Sequence, residues 1–101
     1  MTLPVFLHIE ATPNANEIEA LQSYSSSVSA ILHKHGGIAI ATYDVERSLD
    51  GAESPAAFMV VSFPSRAAID DFFADSAYQS IVPLRDLGFS HLRFYITSER
   101  I

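Results

Sequence analysis

Residues Phe63–Arg85 read FPSRAAIDDFFADSAYQSIVPLR. Pro64 and Ser65 close an apolar run and open a helix, because proline cannot donate to a sheet ladder and a serine hydroxyl accepts from the free N–H groups of a first turn. Behind Ser65, Ile69, Phe72 and Phe73 recur at helical spacing, while Arg66, Asp70 and Asp71 face the other way. Asp75-Ser76 interrupts, and Ala77–Asp86 is expected as a further short helix or turn. Phe72, Phe73 and Ile81 are expected to pack. The Tyr-Gln and Pro-Leu-Arg end fixes a return into one more strand.

Working outward, Ala56–Phe63 is apolar on both faces, the mark of a central strand covered on both sides. Ile38–Val45 precedes it, with Ile38, Ile40 and Thr42 opposing Ala39, Ala41 and Tyr43. The polar connection ERSLDGAESP, with Asp50-Gly51 as its turn signal, predicts a hairpin between the two. Further upstream, Ile18, Leu21, Ser25, Val28, Leu32 and His35 predict a helix that Gly36-Gly37 stops. Asn14 with Glu17 reads as its capping box. The tract SYSSSVS inside it is a mediocre helix former held by tertiary packing, and it reads as a solvated face. Leu3–Glu10 alternates as a first strand that TPNANE stops, and SHLRFYIT alternates as a last one. Strand, helix, strand, strand, helix, strand is the α+β ferredoxin-like βαββαβ pattern: a four-stranded antiparallel sheet with helices on one face.

Val5, Leu7, Ile9, Ile38, Ile40, Leu92, Phe94 and Ile96 are expected under the helices. The uncovered face then carries Phe6, His8, Glu10, Ala39, Ala41, Tyr43, Phe58, Val60, Ser62, His91, Arg93 and Tyr95. Phe6, Phe58 and Val60 would form an apolar patch of the kind that marks an interface. Pairing two sheets across a two-fold axis would cover it and enclose a cavity.

The bulk properties narrow the partners. The 101 residues suit one domain spanning residues 1–101, and seven Phe with four Tyr supply a core. No cysteine is present, so disulfides, thiolate metal sites and a cysteine nucleophile are excluded. A net charge of −6 with six Lys plus Arg argues against nucleic acid and anionic membranes. No apolar run approaches the roughly 20 residues of a bilayer span, and MTLPVFLHIE lacks a secretory pattern, so a cytoplasmic protein is expected.

The segment MVVSFPSRAAIDDFFADSAYQSIVPLR, preceded by HGG and the Asp-Gly turn, is similar to a bacterial domain-of-unknown-function family of the dimeric α/β-barrel superfamily. The similar stretch runs from about Lys34 to about Thr97. Phe63-Pro64-Ser65, Tyr78-Gln79 and Leu84-Arg85 are its most specific matches. The resemblance implies a homodimer whose sheets form a barrel and implies no settled activity. Members tend to carry Glu before the Phe-Pro, where this chain has Ser62.

His8 and Arg93 are the candidate catalytic pair: His8 as general acid–base group, Arg93 as holder of a carboxylate or enolate. Tyr43, Tyr95, Ser62, Phe6 and Phe58 are candidate substrate-binding residues around them. The alternative is a polar network between subunits, such as Glu10 with Arg93, that only fixes dimer geometry. His33 and His35 stand two apart on a helix, hence on different sides, and suit the negative helix end better than a metal. Tyr78 and Arg85, seven apart, share a helical face and read as a lock of the short helix onto the sheet. No nucleophile elbow, phosphate loop or His-Glu-x-x-His occurs, and no Trp or clear histidine ligand supports haem chemistry, so no cofactor or metal is expected. A cofactor-free isomerase, cyclase or oxygenase, a non-catalytic binder of a small organic ligand, and a purely structural dimerisation module remain open.

Overall fold

A computed structural model describes residues 3–100. Its elements run β1 (Val5–Pro13), α1 (Ile18–Lys34), β2 (Ile38–Asp44), β3 (Ala57–Phe63), α2 (Arg66–Ala74), α3 (Ser76–Gly88) and β4 (Phe89–Thr97). The strands form one antiparallel sheet in the order β2-β3-β1-β4, the ferredoxin-like arrangement. The helices cover one face of it.

The residues under the helices follow from the register. Val5, Leu7 and Ile9 stand opposite Phe63, Val61 and Met59 of β3, and Leu7 and Ile9 stand opposite Ile96 and Phe94 of β4. Val5, Leu7, Val61 and Phe63 join Tyr24, Ile31, Ile69, Phe72, Tyr78 and Ile81 in the core cluster, with Ile9 and Phe94 packed against it, whereas Met59 and Ile96 are exposed. Each large side chain fully buried there contributes about 1.5–3 kcal/mol. The opening stretch supplies the aromatic part. Phe72 lies 4.6 Å, centroid to centroid, from Tyr78, Phe73 lies 5.3 Å from Tyr78, and Phe73 lies 5.1 Å from Phe94, the last two edge-on.

Helix boundaries have local causes. The Ser65 hydroxyl accepts from Ala68 N–H at 3.1 Å and starts α2. Asp75 separates α2 from α3: its Oδ1 accepts from Ala77 N–H at 2.8 Å, and its Oδ2 accepts from Lys34 Nζ at 2.9 Å and meets His35 Nε2 at 2.7 Å. The hydrogen bond with His35 first, then that from Lys34, holds the Asp75 carboxyl below the usual carboxylate range. One carboxylate thus starts α3 and anchors the end of α1. There Gly36, at φ +78°, takes the left-handed position, with Gly36 N–H on His33 C=O and Gly37 N–H on Leu32 C=O.

Four expectations are corrected. In β2, Ile38 pairs with Ser62 and Ala39 with Val61, but Ala41 already pairs with Val60, so Ile40 is a one-residue bulge. Ile38 therefore belongs to the open face and is 63% exposed, Ile40 is also exposed, and Ala39 turns toward the helices. Beyond the bulge, Ala41 and Tyr43 lie on the open face. Next, β1 does not stop at Glu10. Ala11 and Thr12 continue the ladder against Leu92 and His91, and the register shifts only at Pro13, which has no N–H to donate. No capping box forms either: α1 begins at Ile18 with no side-chain cap. Asn14 instead accepts from Asn16 N–H and donates to Leu87 C=O, bracing the end of α3. Last, the buried side of α1 is Ala20, Tyr24 and Ile31 rather than the side led by Ile18, which is exposed.

Candidate functional site

The expected site residues stand together on the open face. His8 is flanked by Val60 on β3 and Tyr95 on β4, Phe6 by Ser62, and Glu10 by Phe58 and Arg93. Tyr43 is opposite Phe58. His8, Phe6, Val60 and Ser62 are half-buried, whereas Tyr43, Tyr95, Arg93 and Phe58 are exposed, Phe58 at 39%. Glu10 meets His91 diagonally, Oε2 to Nε2 at 3.1 Å, rather than Arg93 directly opposite. The second covering expected for β3 is not supplied within one chain, because all three helices lie behind the sheet.

Two cavities border the sheet, and neither contains His8 or Arg93. One, of about 410 Å³, is polar and lies at the end of the sheet among Glu10, Thr12, Glu53, Ser54, Ser90 and His91. The other lies between α1 and the sheet. It measures about 290 Å³ and is walled by Leu7, Ile9, Val28, Met59, Val61 and Phe94, with Tyr24, Ser25 and Ser29 as its polar members. Ala39 and Met59, exposed toward β2, and Ser25 and Ser29, exposed on α1, mark where it meets solvent.

The packing of α1 explains this second cavity. The helix sits closest to α3 rather than to the strands. Gly88 makes that approach possible: a Cβ there would come within 2.9 Å of the Leu21 Cα. Drawn toward α3, α1 leaves room over β1 and β3.

A buried polar group borders the cavity. Tyr24 is 7% exposed and Tyr78 is 0% exposed. Their hydroxyls lie 3.0 Å apart, and Arg85 Nη1 donates to the Tyr78 oxygen at 3.2 Å. Burial, then the hydrogen bond with Tyr78, pushes the Tyr24 hydroxyl well above its ordinary value, so it stays protonated. Tyr78 and Arg85 do share a face, but Tyr78 is a centre of the core rather than an edge lock. Tyr24 lies in SYSSSVS, whose serines read as a solvated face, so its burial is not apparent from composition. Its spacing to Val28 and Ile31 was the available signal.

The family model for a domain of unknown function, DUF1330, matches residues 8–97. The chain belongs to this family. Among solved structures, a protein of unknown function from Rhodopseudomonas palustris superposes with a TM-score of 0.85 at 17% identity, over 100% of this chain and 85% of that one. A dimeric ferredoxin-like protein of unknown function from Jannaschia sp. CCS1 gives 0.73 at 8% identity, over 96% and 100%. A candidate antibiotic biosynthesis monooxygenase from Nitrosomonas europaea gives 0.66 at 12% identity, over 98% and 92%. These likenesses show the fold. No curated protein matches the chain. Among the described residues, no helix is long and apolar enough to cross a membrane.

Proposed function

We propose that this DUF1330 protein is a homodimer that binds a small, largely apolar organic molecule in the cavity between α1 and the sheet. The observation that carries the reading is that cavity: its walls are almost wholly aliphatic and aromatic, with a few polar groups among them. Its volume sits at the low end of the roughly 300–1,000 Å³ in which ligands are commonly held. Dimerisation through the open face is supported by the exposed Ile38, Tyr43, Phe58 and Tyr95 and by the dimeric state of the similar Jannaschia fold.

A second reading places chemistry on the open face. There a lumen between paired sheets would let His8 act as general base and Arg93 hold a carboxylate or enolate, with Tyr43, Ser62 and Tyr95 around them. The support is that the register gathers these residues on one face. The chemistry would be cofactor-free proton transfer, as in an isomerase, cyclase or oxygenase. The monooxygenase description of one similar fold is in keeping with the last of these.

A titration with tetralin, followed through backbone amide signals, separates the readings. Shifts at Val28, Leu32, Ala39 and Phe94 are expected. Shifts confined to His8, Val60 and Arg93 would move the site to the lumen. No shift at either set would leave a structural dimerisation module.

A further inference from the structure

We infer that Tyr24 presents a free hydroxyl proton to the cavity beneath α1, so that the cavity selects neutral ring compounds carrying one acceptor oxygen, such as cyclic ketones. The inference rests on the proposal that this cavity is the ligand site, and it adds the ligand's chemical class.

Arg85, Tyr78 and Tyr24 form a closed group whose donors and acceptors can be counted. Arg85 can only donate, and its Nη1 donates to the Tyr78 oxygen at 3.2 Å. Among the described residues, the one other partner of the Tyr78 hydroxyl is the Tyr24 hydroxyl, at 3.0 Å. Two hydroxyls in contact share one hydrogen bond, so one of them must keep an unspent proton. If Tyr24 were the donor, the surplus proton would sit on Tyr78, which is fully buried with no acceptor left. A buried donor without a partner forfeits its hydration for nothing. The order Arg85 to Tyr78 to Tyr24 avoids this. It places the surplus proton on Tyr24, the member of the group that lines the cavity. The Tyr24 hydroxyl has no second partner among the described residues.

This fixes the ligand's character. A surplus proton on a side chain that lines an apolar cavity asks for an acceptor. The cavity offers only serine hydroxyls besides, with no cation in its lining to hold a carboxylate. The guanidinium of Arg85 is turned to Tyr78 and to Asp86. Charged ligands would lose hydration without a counter-charge, whereas a carbonyl on one or two fused rings would gain a bond and bury its rings.

The test compares tetralin with 1-tetralone, which adds a single ketone oxygen to the same ring frame. Binding of both to the wild-type dimer is measured by amide titration, and again with Tyr24→Phe. The substitution is expected to weaken 1-tetralone by about three- to tenfold, the scale of one net hydrogen bond, and to leave tetralin unchanged. Equal effects on both ligands, or on neither, would overturn the inference while the cavity stands as a site. Failure of both ligands to bind the wild type would overturn the cavity reading and this inference with it. Should Tyr24→Phe not fold, the carbonyl stretch of bound 1-tetralone decides. It is expected below its frequency in alkane solution, and to stay there in Ser25→Ala and Ser29→Ala. A stretch at the alkane frequency, or one restored by either serine change, would overturn the assignment to Tyr24.

Discussion

Leu7 and His8 are neighbours in β1, and Val61 and Ser62 are neighbours in β3, yet the members of each pair meet different surroundings. Leu7 and Val61 are sealed beneath the helices. His8 and Ser62, one step along the same strands, are half-buried on a face that one chain leaves uncovered. Since the backbone is shared, the contrast lies in the side chains alone. The helix side holds the fold together, with its aromatic cluster and a cavity left by the tilt of α1 toward α3. The open side contributes little to the stability of one chain, and its residue types answer to whatever covers them.

The most severe way to break the helix side is Phe72→Ala, which removes the ring shared by Phe63, Phe73 and Tyr78. A loss of about 3–5 kcal/mol is expected in urea unfolding. On the open side Phe58→Arg should leave the stability of the single chain within about 0.5 kcal/mol. Its effect should appear in sedimentation, where the proposed dimer is expected to weaken by about 2 kcal/mol or more, roughly thirtyfold. A comparable loss of chain stability would erase the distinction between the faces. The mildest change is Asp75→Asn, at the junction of the helices. Because the folded carboxyl titrates below its ordinary range, its stabilisation is present above about pH 4 and is lost as pH falls toward the folded value. The variant is therefore expected to melt lower than wild type at pH 7, with the gap closing below about pH 4. A gap that stays constant with pH would mean that the charge on Asp75 does not matter.

Much of this contrast could be read from the residues. Alternation in β1 and β4 put Val5, Leu7, Ile9, Phe94 and their neighbours on one side because those strands keep period two where the core forms. In β2 the same reasoning failed at Ile38 and Ala39. Both phases there are apolar, and the bulge at Ile40 inserts a residue that no hydropathy pattern marks. The open-face residues His8, Tyr43, Ser62, Arg93 and Tyr95 were legible as a group. The cavity under α1 was not, since it depends on how closely Gly88 lets two helices approach. Tyr24 was hidden for a related reason: the five serines of its tract made its helix face look wet, and it is Tyr78 of α3 and Phe89 that pack against its ring.

The bulge in β2 also bears on what the sheet refuses to do. An outer strand with unpaired N–H and C=O groups is a template on which another chain can add, and unchecked addition leads to fibres. An incoming strand in step with Ile38 and Ala39 would be one residue out of step by Ala41. Ile40 thus works as a stop on sideways growth at the β2 edge.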